Sequence, residues 1–204
     1  MVRDYIEQYR LNLISLIDQV HAESIEKMAG ILFKACLDGK PIFIVGNGGS
    51  ASTATHLACD LSKCTIIPGR RRAKVMSLVD NIPLVSAWTN DNGFETIFEE
   101  QLKNWAEEGC VLIAFSVHGG SGEGEAGPWS QNIPRAVEYI RQVGGKVLAF
   151  SGFGGGLLAK RANECIVINI NSEPLGTPLV ESIHSILAHL LTQCLRIRLE
   201  RQEA

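Results

Sequence analysis

Ile42-Phe43-Ile44-Val45-Gly46-Asn47-Gly48-Gly49-Ser50-Ala51-Ser52 decides how the rest of the chain is read. Four apolar residues end in a glycine-rich turn, and a helix-forming segment follows with Ser50 at or near its start. A buried strand, a tight loop and a helix N-terminus in that order make an anion site. Loop N–H groups and the positive end of the helix dipole point at one place. Gly46, Gly48 and Gly49 let the backbone come close to a ligand, and Ser50 adds a hydroxyl. Asn47-Gly48-Gly49-Ser50 is therefore the first candidate substrate-binding segment. Its spacing is neither G-x-x-x-x-G-K-[ST] nor G-x-G-x-x-G, so the ATP and dinucleotide fingerprints do not apply. His56 and Asp60 follow four residues apart, on one helix face a turn beyond the loop.

Outward from this stretch, short apolar runs recur at 41–45, 74–78, 110–115, 146–150 and 165–170. Helical stretches lie near 50–62, 81–89, 94–107, 130–143 and 155–161, and one long helix is expected over 178–200. Strands alternating with helices predict an α/β fold, a doubly wound five-stranded parallel sheet covered on both faces. Ligands bind such sheets beyond the carboxyl ends of the strands. The loops there are unusual: Ser116-Val117-His118-Gly119-Gly120-Ser121-Gly122 follows the third run and Ser151-Gly152-Phe153-Gly154-Gly155-Gly156 the fourth. Three Gly/Ser loops at one sheet end suit an oxygen-rich ligand such as a phosphate.

Two helices precede the first strand. Tyr5, Tyr9, Leu11, Leu13, Ile14 and Ile17 give residues 1–20 an apolar stripe, and Ile25, Met28, Ile31, Leu32 and Phe33 do the same for 24–34, with Gly39 as a stop. The first is expected to be an oligomerisation arm. No linker or internal repeat appears, so 1–204 is expected to be one domain, with 1–38 a helical arm and 39–204 the α/β core.

Composition sets bounds. The chain has 204 residues, a formal net charge of −3 and 46% hydrophobic residues. A nucleic-acid partner is not expected at that charge. No apolar run approaches the roughly 18–20 residues of a membrane span. The N-terminus lacks a secretory apolar segment, so a cytoplasmic location is expected. None of the six cysteines forms C-x-x-C, and buried reduced thiols are expected.

Gly46-Asn47-Gly48-Gly49-Ser50-Ala51 with His56 and Asp60, then Thr89-Asn90-Asp91-Asn92-Gly93-Phe94 with Ile97-Phe98, then Glu181-Ser182-Ile183-His184 with His189 resemble the sugar isomerase (SIS) family, and within it the phosphoheptose isomerases. The resemblance covers nearly the whole chain. It implies a flavodoxin-like sheet with two extra N-terminal helices and a long C-terminal helix, assembled as a homotetramer with sites at subunit boundaries. It implies that Ser50, Ser116 and Ser121 bind a sugar phosphate, with Asn90 and Asp91 beside them; His118, lying where the phosphate loop should be, is a candidate contact to phosphate or a sugar hydroxyl in its own right. It implies that His56, Asp60, Glu181 and His189 hold one zinc ion per site, that Asp60 and His189 are the acid–base pair, and that Asp91 is a catalytic acid.

The implied reaction is aldose–ketose isomerisation of sedoheptulose 7-phosphate through an enediol. The departures are Asp60 for a family Glu, Glu181 for Gln, Cys64 for Arg, and Ser116-Val117-His118-Gly119-Gly120-Ser121 for Ser-Thr-Ser-Gly-Asn-Ser, followed by extra residues 122–129. They keep alive an isomerase of another long-chain sugar phosphate; the second function class the resemblance leaves is a non-catalytic SIS adaptor that binds the replication initiator. Geometry sets one condition. Glu181 and His189 are eight residues apart, roughly 12 Å along a regular helix, so both reach one ion only if Glu181 stands at the helix entry. His184 diverges from His189 around that helix and is expected to be a packing residue.

Overall fold

The computed structural model describes residues 1–120, 130–170 and 175–202. The five strands are β1 (Pro41–Gly46), β2 (Lys74–Ser77), β3 (Val111–Ser116), β4 (Lys146–Gly152) and β5 (Glu164–Ile168). They form one parallel sheet in the order β2-β1-β3-β4-β5. The chain steps outward from β1 to β2, then returns to add β3 on the other side of β1. Loops after β1 and β3 therefore part in opposite directions and leave a crevice beyond the strand ends.

Period-two alternation splits the apolar residues of each strand between two layers. Ile42 and Ile44 of β1, with Ile113 and Phe115 of β3, face α1 (Val2–Ile17), α2 (Ala22–Asp38), α3 (Gly49–Lys63) and α8 (Gly176–Arg201). Phe43, Val45, Leu112 and Ala114 face α5 (Ile97–Trp105), α6 (Asn132–Gln142) and α7 (Gly156–Arg161). Burial on both faces is why these strands read as unbroken apolar runs.

Element boundaries depart from expectation in three places. Gly39 does end α2, at φ 68°, but the helix runs four residues beyond 34. The expected helix over 94–107 divides into a 3-10 turn at Phe94–Thr96 and then α5. The helix expected near 81–89 is α4 (Ile82–Asn92), which carries Asn90 and Asp91 and stops at Gly93, where φ is 94°. α1 buries Leu16 and leaves Tyr5, Ile6, Leu11 and Ile14 about half exposed. Tyr9 ties it to α8, its Oη 2.8 Å from Ser182 Oγ and donating to the Pro178 carbonyl at 3.3 Å.

All six cysteines are free thiols, and burial raises the Cys36 thiol to about 11 and Cys165 to about 12. Cys59 departs from the expected burial: it is exposed on α3. No helix among the described residues is long and apolar enough to cross a membrane.

Candidate active site

The site is built on two helices that lie side by side. Their contacts ascend together: Glu181 with Gly49, Ser185 Oγ with Thr53 Oγ1 at 3.4 Å, His189 with Asp60, and Arg196 with the Cys64 carbonyl at 2.7 Å. α3 and α8 therefore run parallel, with their N-termini at the same end of the molecule.

At that end the β1–α3 loop takes the form its glycines allow. Gly48 has φ 56° and ψ −126°, a conformation closed to a side chain. A Cβ on Gly46 would overlap the Ser50 carbonyl, so the turn is drawn tight under the helix. Gly48 and Gly49 are exposed and Ser50 is buried. First-turn amides of a helix have no intrahelical acceptor, so this end of α3 is electropositive. Asn47 is held by a reciprocal amide pair with Asn132 at the head of α6, each Nδ2 donating to the other's Oδ1 at 2.9 Å. Asn132 is wholly buried, so the pair pins the loop across the crevice between β1 and β3.

About two to three turns down α3, His56, Asp60 and His189 converge. His189 Nδ1 lies 3.0 Å from Asp60 Oδ2, and His56 Nε2 lies 3.8 Å from Asp60 Oδ1. The imidazole centroids are 4.7 Å apart and nearly perpendicular. Both histidine side chains are more than half exposed, while Asp60 is 16% exposed between them. One donor atom from each residue fits within 4.8 Å of the other two. Two imidazole nitrogens and a carboxylate oxygen are a donor set that zinc accepts.

Glu181 is not brought into this group. α8 begins at Gly176, so Glu181 sits inside a regular helix rather than at its entry. Its carboxylate lies over the first turn of α3 instead, where a Cβ on Gly49 would strike it. Asn90 and Asp91 are also apart from the trio. They are exposed at the end of α4, Asn90 Nδ2 donating to Asp91 Oδ1 at 2.7 Å. His184 is a packing residue. It is buried between Phe115 and Phe150, with Nε2 3.2 Å from the Ser151 carbonyl and Nδ1 unpartnered, and burial lowers its pKa to about 4.

On the β3 loop, Ser116 is buried, its Oγ accepting the Gly120 N–H at 3.0 Å, and His118 is exposed. Ser121 and the extra residues 122–129 lie outside the described residues. Two residues at the site carried no warning in their spacing. Asn132 is one amide in an ordinary helical stretch. Arg196 sits at the C-terminal end of α3, which Cys64 leaves without the arginine of the family pattern. A groove of about 710 Å³ runs along the β2 edge, between Thr55, Cys59, Met76, Asp80, Asn81 and Trp105, and none of the site residues lines it.

Comparison with known proteins fits this geometry. The chain is 45% identical over 163 residues to the lincomycin biosynthesis protein LmbN of Streptomyces lincolnensis, an alignment covering 80% of this chain and 58% of that longer protein. It is 32% identical over 170 residues to the phosphoheptose isomerase of Rhodospirillum rubrum, covering 83% of each. Its fold superposes on the phosphoheptose isomerase of Neisseria gonorrhoeae with a TM-score of 0.81 at 20% identity, over 96% of this chain and 98% of that one. The SIS domain family pattern matches residues 4–152. The chain belongs to the SIS domain family and, within it, to the phosphoheptose isomerase branch.

Proposed function

We propose that this protein isomerises a phosphosugar between ketose and aldose, with sedoheptulose 7-phosphate as substrate and zinc as cofactor. The observation that carries the reading is the His56–Asp60–His189 trio on the same pair of helices as the anion-seeking end of α3. An adaptor module has no use for such a donor set.

His56, Asp60 and His189 would hold the ion. Zinc bound there supplies Lewis acidity to the substrate's oxygens. The chain's own groups do the rest. Loop amides of Gly48, Gly49 and Ser50, with Ser116 and Ser121, take the phosphate. Asp60 and His189 handle protons: one leaves C1 of the ketose as C1=C2 forms, one returns to C2 as the C1 carbonyl forms, and another moves between the two oxygens. The 3.0 Å approach of His189 Nδ1 to Asp60 Oδ2 keeps these two groups together. Asp91 and Asn90 act from a neighbouring copy in this scheme. The exposed apolar residues of α1, with Ile186, Leu190 and Ile197 of α8, support assembly as a homo-oligomer, a tetramer by family resemblance. We assign the protein to the cytoplasm.

A second reading keeps the chemistry and changes the sugar. The higher identity to LmbN than to the phosphoheptose isomerase of Rhodospirillum rubrum favours another long-chain sugar phosphate, as does His118 on the loop where the family has serine. The test is metal-stripped protein, reloaded with zinc and given sedoheptulose 7-phosphate in D₂O under NMR. Zinc-dependent conversion with deuterium at C2 supports the first reading. Exchange without net conversion supports the second. Absence of both exchange and zinc uptake refutes both readings.

A further inference from the structure

We propose that Phe153 sets substrate affinity as a positioning residue: it fixes the His118 imidazole on the β3 loop and so sets the hold on the substrate's phosphate without touching it. The inference rests on the reading of that loop as the grip for a sugar phosphate. Its own basis is the way two loops are locked together. The Gly152 N–H donates to the Val117 carbonyl at 2.9 Å, and the Leu158 N–H to the Gly119 carbonyl at 2.9 Å. Gly119, at φ 73°, lies so close that any side chain there would strike the Gly155 carbonyl. The β4 loop is thus a fixed floor under the β3 loop.

Phe153 stands on this floor in a conformation that disfavours it. Its φ is 52°, in the left-handed region where a bulky residue is an outlier. Glycine occupies positions 152, 154, 155 and 156 around it, so the chain places an aromatic where glycine would cost least. Strain of this kind persists where the surroundings over-determine it, and it clusters at ligand clamps. Two contacts hold the ring. On one side it abuts the first residue of α8, where a Cβ on Gly176 would come within 2.7 Å of Cζ. On the other it packs on His118, with centroids 4.6 Å apart and planes tilted by 34°. His118 is otherwise an exposed side chain on a glycine-rich loop, with rotamer freedom to lose on meeting a ligand. Packing on Phe153 removes that freedom beforehand, and preorganisation of this kind is repaid as affinity.

The test uses inorganic phosphate and sedoheptulose 7-phosphate on the full chain, with His-selective ¹³C–¹H spectra of its five histidines. In the wild type the His118 ring signal is displaced upfield by Phe153 and moves on addition of phosphate. In Phe153→Leu the displacement vanishes, and the phosphate Kd and the KM for the sugar phosphate both rise about 3- to 10-fold, the scale of one aromatic pair. kcat stays within about twofold. Phe153→Tyr keeps the wild-type values. Phe153→Gly relieves the backbone, folds at least as well as Phe153→Leu, and shows the same loss, which separates positioning from structural damage.

Equal phosphate affinity in wild type and Phe153→Leu overturns the proposal. So does a wild type that turns over the sugar phosphate while its His118 signal ignores phosphate, and that result leaves the isomerase reading standing. A wild type that isomerises no phosphosugar refutes that reading instead, and the phosphate titration still decides the role of Phe153.

Discussion

Acid should unfold this protein through His184, and the size of the effect follows from where that residue sits. The imidazole is 1% exposed, Nε2 faces the Ser151 carbonyl, and Nδ1 meets no partner among the described residues. Burial disfavours the charged form, and the pKa falls from 6.5 to about 4. Between these values the unfolded chain binds a proton that the folded chain refuses. Stability therefore falls as pH drops, by about 1.4 kcal/mol per unit and about 3 kcal/mol in all across the window. The contribution is fully present above pH 6.5 and is lost as pH falls towards 4.

The assay is urea unfolding of wild type and His184→Gln at several pH values from 7.5 to 4.5. Protein concentration is fixed, because assembly links stability to concentration. Glutamine can keep an N–H for the Ser151 carbonyl and cannot take the charge. Other titrating groups cancel in the difference between the two proteins. The gap between wild type and variant should shift in favour of the variant by about 1.4 kcal/mol per pH unit below 6.5. A gap that stays flat from 7.5 to 4.5 would refute the burial argument.

Four further outcomes are expected. His56→Ala, Asp60→Ala and His189→Ala should each weaken zinc uptake by at least tenfold, read by metal analysis after dialysis; unchanged stoichiometry in all three would remove the trio as the metal site. Gly49→Ala should change stability by less than about 1 kcal/mol, because its Cβ meets only the carboxylate end of the Glu181 side chain, which can swing aside; a loss above about 2 kcal/mol in thermal melting would show that Glu181 is held in place. Asn132→Leu should raise KM for the sugar phosphate several-fold while leaving zinc uptake intact, since it frees Asn47 but is remote from the trio; kinetics and metal analysis on one preparation decide it. Leu11→Glu with Ile14→Glu should lower the oligomeric state seen by light scattering, because both side chains are exposed on α1.

The architecture was largely legible in the sequence because its signals are local. The strands β1, β3 and β4 announce themselves as unbroken apolar runs, and Gly39 marks a helix end that the φ of 68° confirms. His56 and Asp60 could be paired from spacing alone, since four residues fix a helix face. What spacing could not supply was the partner helix. His189 reaches Asp60 only because α8 lies parallel to α3, a tertiary fact. The same packing carried Glu181 away from the His56–Asp60–His189 trio and onto Gly49, since eight residues of regular helix cannot be shortened. Asn90 and Asp91 lie just past the helical stretch expected near 81–89, yet the helix continues through both before Gly93 ends it. The Phe153–His118 contact had one clue, an aromatic among glycines, which is visible only to a reader asking where a bulky residue is least welcome.

The parallel register of α3 and α8 works as a pair of measuring rails. On the proposed reading the phosphate is gripped at Gly49–Ser50, and the trio that carries the chemistry begins at His56, farther down the same rigid helix. At a rise of 1.5 Å per residue, roughly 9 Å of axis separates Ser50 from His56. Neither end can slide towards the other, because the rungs at Thr53–Ser185 and Cys64–Arg196 fix both helices along their length. A substrate is then selected by reach. A phosphosugar too short to span the interval anchors its phosphate and leaves its carbonyl carbon short of the base, and it binds without reacting. Across a ladder of ketose phosphates, kcat should step sharply at one chain length while Kd changes little.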